Sequence, residues 1–243
     1  MGYLSVLLEQ CLQWDKQATL FINGSDNVFW DEVIYVATST GIWIPMGCVM
    51  LWVLGKNLSL RQFGFAVLFL SLAVLVSDQL SSAVFKPYFQ RWRPTQDPLI
   101  MHVVDVVHAY RGGSYGFFSA HASNTFSVAV FLSLLFRRRL LGLLVVSWAV
   151  INSYTRIYLG VHYLGDVLVG TLFGLLIGSS MYGLYRKYIL QGGVMQWKSS
   201  LYPHIMAIAI LFSYCMVFIV GTVVKCRLFP NKLIANVLNI LYL

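Results

Sequence analysis

Three short stretches carry residues whose types and spacing could do chemistry. The first, "KPYFQRWRP", sets Lys86 and Arg93 seven positions apart. The second, "GFFSAHASNTF", holds Ser119, Ala120 and His121, and the third, "TRIYLGVHYLGD", holds Arg156, His162 and Asp166. Three cations without a metal-ligand set beside them suit a multiply charged anion, and a phosphate group fits. Ser119, placed before a helix, can cap it and leave backbone N–H groups for phosphate oxygens. His162 and Asp166 stand at i and i+4, one turn apart on one helix face. A carboxylate there fixes the tautomer of the imidazole and raises its basicity. His121 can give a proton to a departing oxygen. Nucleophile, orienting acid, proton donor and anion clamp are all present.

The elements that must position these residues lie in a membrane. The chain of 243 residues is 58% hydrophobic and 11% charged, with a mean hydropathy of +0.73. Soluble domains carry about 25% charged residues. A spanning helix needs about 20 mostly apolar residues. Segments of that kind fall at about 30–55 (bent near Gly41 and Pro45), 62–85, 119–136, 139–157, 162–185 and 202–224. Residues 1–25 are interrupted by Glu9, Asp15 and Lys16 and read as an amphipathic helix lying on the bilayer, not as a cleaved signal. The predicted fold is an all-α polytopic bundle of about six spans. Its transmembrane domain covers 26–225, the chemistry-bearing clusters fall within 86–166, and a tail follows at 226–243. Spans alternate in direction, so the end of the second, the start of the third, the end of the fourth and the start of the fifth share one side of the membrane.

Charge placement refines this picture. The net charge is +8, but the basic residues sit at segment ends instead of forming a hydrophilic domain. The expected partners are therefore the bilayer and an anionic lipid substrate, with no nucleic acid. The loops joining spans one to two, three to four and five to six carry Lys56, Arg61, Arg137, Arg138, Arg139, Arg186, Lys187 and Lys198 and no acid, which marks the cytoplasmic side. The opposite loops hold Lys86, Arg91, Arg93, Arg111 and Arg156. Arg91 reads as an interfacial anchor, and His102, His108 and Arg111 as ordinary loop polarity or as readers of a headgroup. Asp78 is a further acid inside a predicted span, with no partner nameable from sequence. Gly170, Gly174 and Gly178 continue the His162–Asp166 stripe at steps of four, a spacing that lets helices approach closely in lipid. Four cysteines form no CxxC pair, so neither a metal site nor a redox motif is expected.

Lys-x6-Arg-Pro, then Ser-x-His, then Arg-x5-His-x3-Asp resembles the three-part signature of the type 2 phosphatidic acid phosphatase superfamily. The resemblance implies a lipid phosphatase without metal or other cofactor, in which His162 attacks phosphorus to form a phosphohistidine. Asp166 would orient it, His121 would protonate the leaving group, and Lys86, Arg93, Ser119, Ala120 and Arg156 would hold the phosphoryl oxygens. Where that family has Pro-Ser-Gly-His, this chain has Phe118-Ser119-Ala120-His121, and Ala120 forbids a comfortable positive φ. The expected place is a bacterial inner membrane with the site facing the periplasm. Undecaprenyl diphosphate and lipid A are the leading substrates, followed by phosphatidylglycerophosphate and phosphatidic acid. A phosphate-like anion transporter would need the same cations. It would need no nucleophile, and no inverted repeat of broken helices is visible.

Overall fold

The computed structural model describes residues 3–25 and 27–228, so the tail expected at 226–243 lies outside the described residues from 229 onward. The described residues are almost entirely helical. α1 (Tyr3–Ile22) is followed by α2 (Val28–Thr38) and α3 (Ile44–Asn57), which are joined through a 3-10 turn at Thr40–Trp43. α2 and the Thr40–Asn57 segment meet at 68°, so the expected first span is a broken one. The break falls at Ser39, which is extended (φ −73°, ψ 129°), while Pro45 lies in the first turn of α3 where its missing N–H costs nothing. Trp43 Nε1 closes the corner by donating to the Ala37 carbonyl at 2.9 Å.

α4 (Leu60–Gln79) starts from a capping box in which Ser59 accepts from Gln62 N–H and the Gln62 side chain accepts from Ser59 N–H. It passes through a π-turn, Leu80–Phe85, into the short α5 (Lys86–Phe89), which Gln90 ends in the left-handed region at φ 46°. After a long loop come α6 (Ala120–Phe136), α7 (Arg139–Tyr158), α8 (Leu164–Tyr188) and α9 (Leu201–Leu228). Leu60–Phe89, α7, α8 and Leu201–Cys226 are long and apolar enough to cross a membrane, and α6 is apolar but only 17 residues long.

The glycine stripe explains the closest pairing. Gly170, Gly174 and Gly178 are buried on α8, and a Cβ at Gly174 would meet the Ser123 carbonyl and Phe126 Cβ of α6 at 2.7 Å. Leu168, Leu172, Leu175 and Leu176 on other faces of α8 stay exposed, as lipid-facing residues do. Deeper in the bundle, Phe131, Leu135, Tyr185, Met206 and Ile210 are buried together. Between α7 and α8 the chain reverses at Gly160 (φ 64°), where a Cβ would also strike Val104 Cγ1 at 2.5 Å. This reversal sets His162 directly ahead of α8.

α1 does more than lie alongside the bundle. Asp15 Oδ1 accepts from Gly165 N–H at 2.7 Å and Thr19 Oγ1 from Leu164 N–H at 2.9 Å, so two residues of α1 satisfy the first turn of α8. Asn23, just past α1, donates to the Tyr158 carbonyl at 2.7 Å.

Candidate active site

Four helix ends and one loop supply the candidate residues. Ser119, wholly buried, caps α6 by accepting from Ala122 N–H at 3.4 Å, and its own N–H donates to the Asp166 carbonyl at 3.0 Å. Ala120 is the first residue of α6 and needs no positive φ, so the change from glycine brings no strain there. His121 follows in the first turn and is exposed. Arg156, in the last turn of α7, is 3% exposed. Its guanidinium donates to Thr38 Oγ1 at 2.7 Å and to Tyr110 OH at 3.0 Å. Arg93 is braced by its Nε on the Tyr115 carbonyl at 3.2 Å. The side chain of Lys86, at the start of α5, makes no hydrogen bond or salt bridge among the described residues.

His162 is 2% exposed and Asp166 fully buried. Nδ1 of His162 stands 3.5 Å from Asp166 Oδ2, longer than a formed hydrogen bond, and Nδ1 has no other partner. Such contacts tighten when the reacting group is bound. The two oxygens of Asp166 are otherwise fixed: Oδ2 accepts from Tyr163 N–H at 3.0 Å, and Oδ1 accepts from Arg91 at 2.7 Å. Backbone presses on the pair as well, since a Cβ on Gly116 would sit 2.9 Å from Asp166 Oδ2 and 3.4 Å from His162 Nδ1. Burial holds the His162 imidazole well below the ordinary histidine value, and the charges of Arg93, Arg156 and Lys86 depress it further. The free site therefore holds a neutral imidazole among cations.

Lys86, Arg93, Ser119, Ala120, His121, Arg156, His162 and Asp166 thus converge at one end of the bundle, as the alternation of spans requires. Arg91 corrects the sequence reading. It is not an anchor toward headgroups but a bridge, bound to Asp166 at 2.7 Å and to Asp15 of α1 at 2.6 Å, with its guanidinium 4.1 Å from the centre of the Tyr163 ring. Thr38, Tyr110 and Gly116 were also missed; only their neighbourhood to the three clusters could have flagged them. His108 and Arg111 do not join the site. His108 Nε2 lies 3.0 Å from the buried Glu32, and Arg111 donates to the Thr95 carbonyl at 2.9 Å. His102 is exposed in the same loop. Among the described residues, no three His, Cys, Asp or Glu side chains gather as a metal-ligand set.

The sequence matches the PAP2 superfamily over residues 65–190, a little more than half of the chain and all three clusters. The chain belongs to the PAP2 superfamily. Two curated relatives bear on this PAP2 phosphatase. One is a lipid A 4'-phosphatase of Bacteroides thetaiotaomicron, 34% identical over 216 residues, covering 84% of this chain and 96% of that protein. The other is a lipid A 4'-phosphatase of Porphyromonas gingivalis, 35% identical over 178 residues, covering 73% and 75% respectively. The fold matches the crystal structure of a transmembrane PAP2-type phosphatidylglycerolphosphate phosphatase from Bacillus subtilis. That match has a TM-score of 0.53 and 21% identity, and covers 75% of this chain and 88% of the other.

Proposed function

We propose that this PAP2 enzyme removes a phosphate from a membrane glycolipid of the lipid A type through a phosphohistidine on His162. The observation that carries the reading is a buried His–Asp pair beside three cations that have no salt-bridge partner among the described residues. Nδ1 faces Asp166, which leaves the lone pair on Nε2 to attack phosphorus. Lys86, Arg93 and Arg156, with the N–H groups at the start of α6, take the charge of the non-bridging oxygens. As the P–N bond forms, the P–O ester bond breaks and His121 gives its proton to the leaving sugar oxygen. Water then attacks the phosphohistidine, His121 takes the water proton, and the P–N bond breaks to release phosphate. Asp166 holds the imidazole in the right tautomer and offsets the positive charge it gains, while Arg91 and Tyr163 N–H hold Asp166. None of these steps needs a metal, because the cations occupy the place of a Lewis acid.

Both lipid A 4'-phosphatase relatives favour that substrate over undecaprenyl diphosphate, phosphatidylglycerophosphate and phosphatidic acid. The apolar helices, with the bent α2–α3 pair and the 17-residue α6 counted as crossings, favour about six crossings of a bacterial inner membrane, and the charge bias of the loops favours the site facing the periplasm. Of the five basic residues on the site side, Lys86, Arg91, Arg93 and Arg156 are engaged around the phosphate pocket or the dyad. The imbalance of uncommitted charge toward the other side is thus stronger than a plain count gives. The test is phosphate release from lipid A by purified protein in detergent with a chelator present. Release should persist in the chelator and vanish in His162→Ala, and quenched wild type should carry an acid-labile, base-stable phosphate. Equal release by His162→Ala would overturn the mechanism.

A further inference from the structure

A cavity of about 670 Å³ lies open on the flank of the bundle between α4 and α6. Ser71, Val74, Leu75 and Asp78 line it from one face of α4, and Asn124 and Val128 from α6. Asn124 and Val128 follow His121 by three and seven positions, so they share its helix face. Asp78 precedes Lys86 by eight positions, about 12 Å at 1.5 Å per residue. The groove therefore lies on the same helices as His121 and Lys86, a few turns along the bundle from them, where the chains of a bound lipid could lie.

Its polar groups do not suit a plain hydrocarbon. A carboxylate in a membrane segment is costly and marks function unless a partner answers it. Asp78 makes no hydrogen bond or salt bridge among the described residues, although its charge reaches Lys86. Asn124 Oδ1 is buried with no partner. Both groups accept hydrogen bonds: Asn124 Oδ1 is an unmatched buried acceptor, which is destabilising, and Asp78 is a half-buried carboxylate on a lipid-facing flank. What is missing is a donor, and an apolar tail brings none.

We propose that this groove holds a chain of the lipid substrate and that Asp78 and Asn124 recognise a hydrogen-bond donor on it, a hydroxyl or an amide N–H near the headgroup end. This inference rests on the lipid-phosphatase reading and narrows it. Amide-linked or hydroxylated acyl chains satisfy the groove; ester-linked plain chains and polyprenyl chains do not.

The experiment compares kcat/KM for lipid A, whose chains carry such donors, with kcat/KM for p-nitrophenyl phosphate, which has no tail. It uses the full-length protein and the variants Asp78→Leu, Asp78→Asn and Asn124→Leu. Any effect of Asp78 on Lys86 acts on both substrates and cancels in the ratio. Leucine keeps the branching at Cγ and adds apolar surface, so an open groove would bind a plain chain no worse. The expected result is a ratio at least tenfold lower in Asp78→Leu, several-fold lower in Asn124→Leu and within about threefold of wild type in Asp78→Asn, the scale of a lost hydrogen bond to a charged group. An unchanged ratio, or an equal fall for both substrates, would overturn the proposal while leaving the phosphatase intact. Wild type that cleaves p-nitrophenyl phosphate but never lipid A would remove the lipid A reading and this inference with it.

Discussion

Remove the Arg91 guanidinium and the buried Asp166 keeps one hydrogen bond from Tyr163 N–H and loses its salt bridge to a permanently charged group. An uncompensated buried carboxylate shifts or takes up a proton, and either response disturbs His162. Arg91→Ala should therefore lower kcat about 10- to 100-fold, the range for residues that orient a reactive group, with partial recovery in Arg91→Lys. Gly116→Ala should lose activity by a similar factor with its Tm little changed, because the new methyl meets the Asp166 and His162 side chains. The pH dependence has a definite sign. His162 in the free enzyme stays neutral well below 6.5, so the acid limb that its protonation gives to kcat/KM should lie below pH 6.5. Below pH 6.5 the unfolded chain takes up a proton that the folded one refuses, so this group lowers stability as pH falls and contributes nothing above. A kcat/KM profile breaking at 6.5 would show that the imidazole titrates as an ordinary one. The histidines, Asp166 and three cations were legible because helical spacing and the alternation of spans suffice to place them. Arg91 was not: the chain leaves the helix at Gln90, after which no helical register relates Arg91 to its neighbours, and its partner Asp15 is 76 positions away.

At the scale of elements, the steps of four in α8 announced a close helix contact, and α6 supplies it. Gly174→Leu should destabilise by more than the 1–3 kcal/mol of ordinary overpacking, since part of the clash is with the Ser123 backbone, which cannot rotate away. Thermal unfolding in detergent would show it, with Gly183→Leu, where a Cβ meets nothing within 4 Å, as the control. The span boundaries were read to within a few residues because apolar runs are long. The π-turn at Leu80–Phe85 was not, since one extra residue in a turn leaves hydropathy unchanged while re-aiming everything after it, Lys86 first. The broken span was anticipated near Gly41 and Pro45, but the chain bends at Ser39. Thr38, the last residue before that bend, holds the guanidinium of Arg156. α1 is expected to rest on the membrane; its Asp15 and Thr19 also accept from the first N–H groups of α8, a tertiary contact that no local pattern encodes.

Across the whole molecule, charge is sorted into answered and unanswered groups. Arg91 faces two carboxylates and Lys16 faces Asp97 at 3.4 Å, whereas Lys86, Arg93 and Arg156 converge with no salt bridge among the described residues. An anion that fills their pocket binds only the folded state. At 100 times its Kd, orthovanadate should stabilise by about 2.7 kcal/mol, seen as a rise in Tm that His162→Ala reduces and added salt weakens. The same feature has a practical side. The three cations together should behave as a single ion-exchange site, indifferent to whether their counter-ion is a substrate, a product or a buffer component. In phosphate or sulfate buffer the enzyme starts each cycle already occupied. Apparent KM should then climb linearly with buffer concentration while kcat stays fixed, so rates measured in different buffers describe differently loaded forms of one protein.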